Sequence, residues 1–138
     1  MDKLFLDANV VLDFLCEREG FYLPAAKIIA KGYKMEVELW CSSLTFAIAS
    51  YLMEREHVQT KEALQKLSDF LAVCQPSAVD RSIIEKAITS DFEDFEDALQ
   101  YFSAKNCGTN IIITRNPNDF STSELPVHLP TDYLSQIS

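Results

Sequence analysis

Lys3-Leu4-Phe5-Leu6-Asp7-Ala8-Asn9-Val10-Val11-Leu12-Asp13 changes its period halfway along. Leu4 to Leu6 read as a short buried strand, and the apolar residues after Asp7 take helical spacing. Asp7 therefore stands at the carboxyl end of a strand, in the crevice where open parallel sheets place their ligands. More acids follow in Asp91-Phe92-Glu93-Asp94-Phe95-Glu96-Asp97, and a second strand end in Ile111-Ile112-Ile113-Thr114-Arg115-Asn116-Pro117-Asn118-Asp119. Three acidic places at strand and helix ends point to one site for a hard cation. The oxygen-only inventory suits Mg²⁺ or Mn²⁺ rather than zinc.

The rest of the chain alternates in the same way. Leu4–Leu6, Glu38–Cys41, Leu71–Cys74, Asn110–Thr114 and Val127–Leu129 have strand length, and longer stretches between them carry helical periodicity. Pro24 belongs in the first turn of a helix that Gly32 is expected to end. Thr45 to Glu56 and Thr60 to Phe70 read as an antiparallel helix pair joined at His57–Gln59. Asp80 is an N-cap for Arg81–Thr89. Ser90 and Glu93 have capping-box spacing before a helix that reaches Asn106 and stops at Gly108. The expected fold is a single α/β domain over residues 1–138, a three-layer α/β/α sandwich around a mainly parallel sheet.

With 138 residues, 48% apolar, the chain is long enough for one self-sufficient core. No apolar run approaches the ~18 residues of a membrane span, and no signal peptide is visible, so the expectation is a cytoplasmic protein. Cys16, Cys41, Cys74 and Cys107 are isolated from one another and read as small buried hydrophobes in a reducing compartment. His57 and His128 read as structural, and three glycines leave no phosphate-binding loop. A net charge of −9 excludes a protein that grips nucleic acid through a broadly basic surface. Nucleic-acid chemistry would need a local basic patch, bridging metal ions or a basic partner.

Each acid also has a simpler reading. Asp7 or Asn9 could cap the following helix, and Asn116 and Asp119 could serve a turn. Asp91 and Glu93 suit a helix start. On a continuous helix, Asp94 and Asp97 share a face at i,i+3 while Phe95, Leu99 and Phe102 face the core. Asp97 then lies beyond the reach of the helix dipole, which leaves its like-charge neighbours uncompensated.

In order and spacing, these segments resemble the PIN domain, the fold of many toxin–antitoxin ribonucleases of the VapC type. The resemblance rests on Phe5 to Asp13, on Asp94 to Gln100 and on Ile113 to Phe120, with Glu17-Arg18-Glu19-Gly20-Phe21 similar to one branch of the family. It implies a Mg²⁺- or Mn²⁺-dependent endoribonuclease with Asp7 and Asp97 as principal metal ligands. Asp94, Asn116 and Asp119 would be supporting ligands or water-orienters, with Asn9, Thr114 and Glu96 around them. From their nearness in sequence to these residues, Arg18, Arg115 and Lys105 are expected to line the path of RNA. A homodimer and a basic antitoxin partner are implied as well.

The chain departs from the family where an acid usually follows the second strand, within Ser43 to Tyr51. Ile48 aligns there, and Asn116 stands where Asp is common. The two changes remove up to two negative charges and should weaken metal binding. The second reading is therefore a catalytically degenerate PIN-like module that binds protein or nucleic acid. A receiver-type phospho-acceptor role for Asp7 lacks the second acid it would need nearby.

Overall fold

Leu4 and Leu6 face one side of the first strand and Phe5 the other, and all three are fully buried. That alternation places apolar layers on both faces of a sheet, as parallel strands require. The computed structural model describes residues 1–136. In chain order its elements are β1 (Lys3–Leu6), α1 (Ala8–Leu15), α2 (Tyr22–Tyr33), β2 (Glu38–Ser42), α3 (Ser43–Arg55) and α4 (Thr60–Leu71). They continue with β3 (Cys74–Ser77), α5 (Arg81–Ile88), α6 (Phe95–Asn106), β4 (Ile111–Ile113), β5 (Val127–His128) and α7 (Pro130–Gln136).

The five strands lie in the order β3-β2-β1-β4-β5, and every pairing is parallel. Leu4 sits between Leu39 of β2 and Ile111 of β4, which fixes the central register. One core joins Leu4, Leu6, Leu39 and Ile113 to α1, α2, α3, α4 and α7. On the other face, Phe5 and Ile112 pack with Tyr101 and Ala104 of α6, and α5 packs on α6 through Ile83, Ala87, Ala98 and Leu99. This is the expected three-layer sandwich. The chain runs outward through β2 and β3, then returns to start β4 on the opposite side of β1. The strand order thus reverses between β1 and β4, and a crevice opens at their carboxyl ends.

Four local expectations need correction. The strand read at Leu71–Cys74 begins at Cys74, because Leu71 still belongs to α4. A short apolar run cannot distinguish a helix end from a strand. The strand itself carries Gln75 and Pro76, which an edge position tolerates.

Gly32 does not end its helix but lies inside α2. A Cβ there would stand 2.5 Å from Leu39 Cδ1 and 2.9 Å from Val73 Cγ2, so this glycine allows α2 to approach the sheet. The turn after the helix is taken by Met35 at φ 61. Gly32→Ala should destabilise the protein by about 1–3 kcal/mol through overpacking, read as a lower urea midpoint at unchanged slope.

The capping box at Ser90 is not formed either. Ser90 Oγ donates to the Ala87 carbonyl and accepts from Phe92 N–H, which closes the turn after α5. Phe92 is held between Tyr101, Phe102 and Phe120 at 5.2, 6.2 and 6.2 Å, so residues 91–93 remain a loop. Finally, Phe95 is 50% exposed rather than in the core.

Cys41 and Cys74 are buried on neighbouring strands, Cys16 and Cys107 are half-buried, and all four are free thiols. Gly108, at φ +79, ends α6 as expected.

Candidate active site

The crevice between β1 and β4 is built around Asp7. Its backbone N–H donates to the Ile113 carbonyl at 2.9 Å, extending the β1–β4 ladder by one residue. The side chain then caps α1, Oδ1 accepting from Ala8 N–H at 2.8 Å. Oδ2 accepts from Thr114 Oγ1 at 2.8 Å. The capping role and a place in the crevice are thus combined in one residue. Thr114 Oγ1 also accepts from Asn9 Nδ2 and Asn116 N–H, and Asn9 Oδ1 accepts from Arg115 N–H. Thr114 therefore fixes the orientation of the carboxylate, and Asn9 braces Thr114 from behind.

Asp97 reaches the crevice from the other side of the sheet. The N-cap of α6 is Asp94, whose Oδ1 accepts from Asp97 N–H at 3.0 Å. Asp97 is therefore the third residue of its helix, within the reach of the dipole, and not deep in it as the sequence reading held. Asp94 precedes the helix rather than sharing a face with Asp97. The Pro117–Phe120 turn brings Asp119 to the same place, because Phe120 is buried against Phe92 and anchors it.

The proximity of these charges is visible in their titration. Burial raises the Asp97 carboxyl to about 7, with further increments from the charges of Asp7, Asp94, Asp119 and Glu96. Burial raises Asp7 to about 6, against the lowering effect of its Thr114 and Ala8 hydrogen bonds, and Glu96 and Asp119 push it up again. A cavity of about 250 Å³ extends outward from Asp97, lined by Asp91, Glu93, Asp94 and Asp119. Asp7, Asp97, Asp119, Asp94 and Glu96 thus share one negative field, the last three from exposed positions.

The donor chemistry fits a hard divalent cation: a rigidly held buried carboxylate and a second one raised by burial and by its charged neighbours, both relieved by positive charge. Among the described residues no three His, Cys, Asp or Glu side chains close on one point.

The remaining expected residues are distributed differently. Asn116 lies on the far side of Thr114, where it lines a second cavity with Arg115. Ile48 is half-buried and packs against the core beneath α3. Lys105 is ~12 Å farther along α6 than Asp97 and pairs with Glu124 at 2.8 Å, which places it away from the crevice.

Arg115 and Arg18 both turn toward Asp13, a residue the sequence reading did not single out. Asp13 is 1% exposed and accepts from Arg115 Nε at 2.6 Å and Nη2 at 3.2 Å, with Arg18 at 3.8 Å. Its signal was present: an acid among the apolar residues of α1 must find a cation if it is buried.

Comparison with known proteins agrees with this architecture. A PIN domain family model matches residues 3–118. Ribonuclease VapC1 of Aquifex aeolicus is 26% identical over 125 residues, covering 87% of this chain and 85% of its own. The structure of VapBC2 from Rickettsia felis, bound to a DNA fragment from its promoter, superposes with a TM-score of 0.66 at 15% identity. That match covers 92% of this chain and 98% of the other. VapC20 of Mycobacterium tuberculosis, a toxin that cleaves the sarcin–ricin loop, gives 0.61 at 15% identity, covering 79% and 86%. The three-layer fold, the crevice at the reversal of strand order and the match over most of the chain lead to one assignment: this protein belongs to the PIN domain family.

Proposed function

We propose that this protein is an endoribonuclease of the VapC type, the toxin-like member of a toxin–antitoxin pair. The observation that carries the reading is the pair Asp7 and Asp97, brought from opposite faces of the sheet to one crevice where their charges repel. Capping α1 accounts for the place of Asp7 but not for a second carboxylate beside it, and a bound cation would relieve the repulsion. Similarity to a ribonuclease along most of the chain supports the same conclusion.

Asp7 and Asp97 are the residues that would hold a Mg²⁺ or Mn²⁺ ion, with Asp119 and Asp94 adding charge from the rim. Such an ion supplies Lewis acidity, neutralising charge on the phosphate and acidifying water. Thr114 and Asn9 keep Asp7 from rotating, so its free lone pairs stay directed at the crevice. Asn116 and Arg115 stand beside it, toward the incoming strand. The acidic surface, with its net charge of −9, slows approach of RNA and makes the cation part of substrate binding as well as of chemistry.

A protein partner belongs to the same reading. Leu64 and Leu71 of α4 are exposed beside Phe46 of α3 and Pro76, an apolar groove suited to an antitoxin or to a second copy in a homodimer. The VapBC2 complex of Rickettsia felis supports the antitoxin. No described helix is long and apolar enough to cross a membrane.

Calorimetric Mn²⁺ titration of wild type and Asp97→Asn tests the site directly. Saturable binding is expected in wild type and should weaken at least about tenfold in the variant. Wild type that takes up no Mn²⁺ at millimolar concentration would favour the degenerate binding module, since Ile48 and Asn116 would then have cost the site its cation.

A further inference from the structure

The cavity on the other side of Thr114 has a volume of about 410 Å³, and the carboxylate chemistry leaves it unused. Phe21, Pro24 and Leu129 form apolar walls, and Arg115 and Asn116 the polar one. Arg115 is fixed before any ligand arrives. Two of its nitrogens are bound to buried Asp13, and its Cζ stands 4.0 Å from the centre of the Phe21 ring. The result is a guanidinium over an aromatic ring, set by an ion pair and standing at the cavity wall. Phe21 nonetheless remains 46% exposed. Arg115 Nη1 and the Asn116 carboxamide make no hydrogen bond among the described residues, so a donor pair and an acceptor remain available at the rim.

This surface has the features of a single-strand recognition site, where bases stack on aromatic side chains or on guanidinium planes and are read at their edges. Its position fits as well. Thr114 touches Asp7 and Asn116 lines the cavity, two residues apart and so within ~7 Å of chain. That is the reach of one nucleotide from a phosphate at the carboxylates. A basic peptide would meet Arg115 and Arg18 here, whereas the opposite cavity, beyond Asp97, is the acidic one.

We propose that the cavity receives one unstacked base of the RNA, stacked on the Phe21–Arg115 layer and read at its edge by Arg115 Nη1 and Asn116. Asp13 is the positioning residue that holds the guanidinium in plane. The inference rests on the ribonuclease reading and adds its specificity determinant.

The test is cleavage of an RNA library with randomised loops in Mn²⁺, with products sequenced for wild type, Phe21→Ala and Phe21→Trp. Wild type should prefer one base at one position beside the cut. Phe21→Ala should reduce that preference about tenfold, mainly through KM, and Phe21→Trp should retain it. The ring is half exposed, so the variant should melt close to wild type, which a thermal scan checks. A preference that survives in Phe21→Ala would overturn the base site while leaving the ribonuclease standing. Wild type that cuts nothing in the library would overturn both.

Discussion

Asp7→Asn is expected to abolish RNA cleavage while making the metal-free protein more stable at pH 7.5. The first effect follows from the loss of the best-anchored carboxylate in the crevice. Removing several kcal/mol of charge stabilisation should lower kcat/KM at least about a hundredfold. The second follows from the titration of the same group. Burial raises the Asp7 carboxyl from 3.8 to about 6 in the folded protein. Between those values the folded state binds more protons than the unfolded one, so stability falls as pH rises through that window. Asp97, raised to about 7, extends the window upward with the same sign. At pH 7.5 the charged Asp7 carries a penalty of about 3 kcal/mol, most of which Asn removes while still accepting from Ala8 N–H. Melting curves at pH 5 and pH 7.5 provide the check. Wild type should be more stable at pH 5, and the variant should narrow the difference by about 1.4 kcal/mol. A variant that melts below wild type at pH 7.5 would contradict the account of Asp7 as a functional group held at a cost in stability.

The other large effect is expected at Asp13. Asp13→Ala should destabilise the protein by about 3 kcal/mol, because it strips a guanidinium of its bidentate partner and leaves a void in α1. The ion pair itself need not be a net stabiliser, since a buried carboxylate and a half-buried guanidinium lose hydration to meet. Asp13→Leu combined with Arg115→Met should therefore be markedly more stable than Asp13→Ala alone, in urea denaturation of both. Equal destabilisation of the two would mean that packing, not the unpaired charge, dominates at this position. The double variant should nonetheless lose any base preference in RNA cleavage, because the plane beside Phe21 is gone.

Period and punctuation in the sequence were enough for the architecture. Alternating short apolar runs and helical stretches have few solutions other than a parallel sheet covered on both faces. The strand-to-helix switch at Asp7 placed that residue in the crevice for a purely geometrical reason. Asp97 drew notice as an acid read deep in a helix, a premise that the start of α6 at Phe95 removes.

What could not be read locally depended on contacts between distant segments. Gly32 looked like a helix terminator and proved to be a contact glycine, since only the sheet beneath it shows what a Cβ would strike. The start of α6 moved from Ser90 to Asp94 because Phe92 found three aromatic partners, and their burial outweighed a capping box. Arg115 and Arg18 read as free cations for substrate until the fold set them around Asp13. Local sequence determines which groups are polar, apolar or helix-starting, because those preferences act over a few residues. Which acid faces which cation, and which ring lies beneath which guanidinium, is decided only when the crossovers bring the ends of β1, β4 and α6 together.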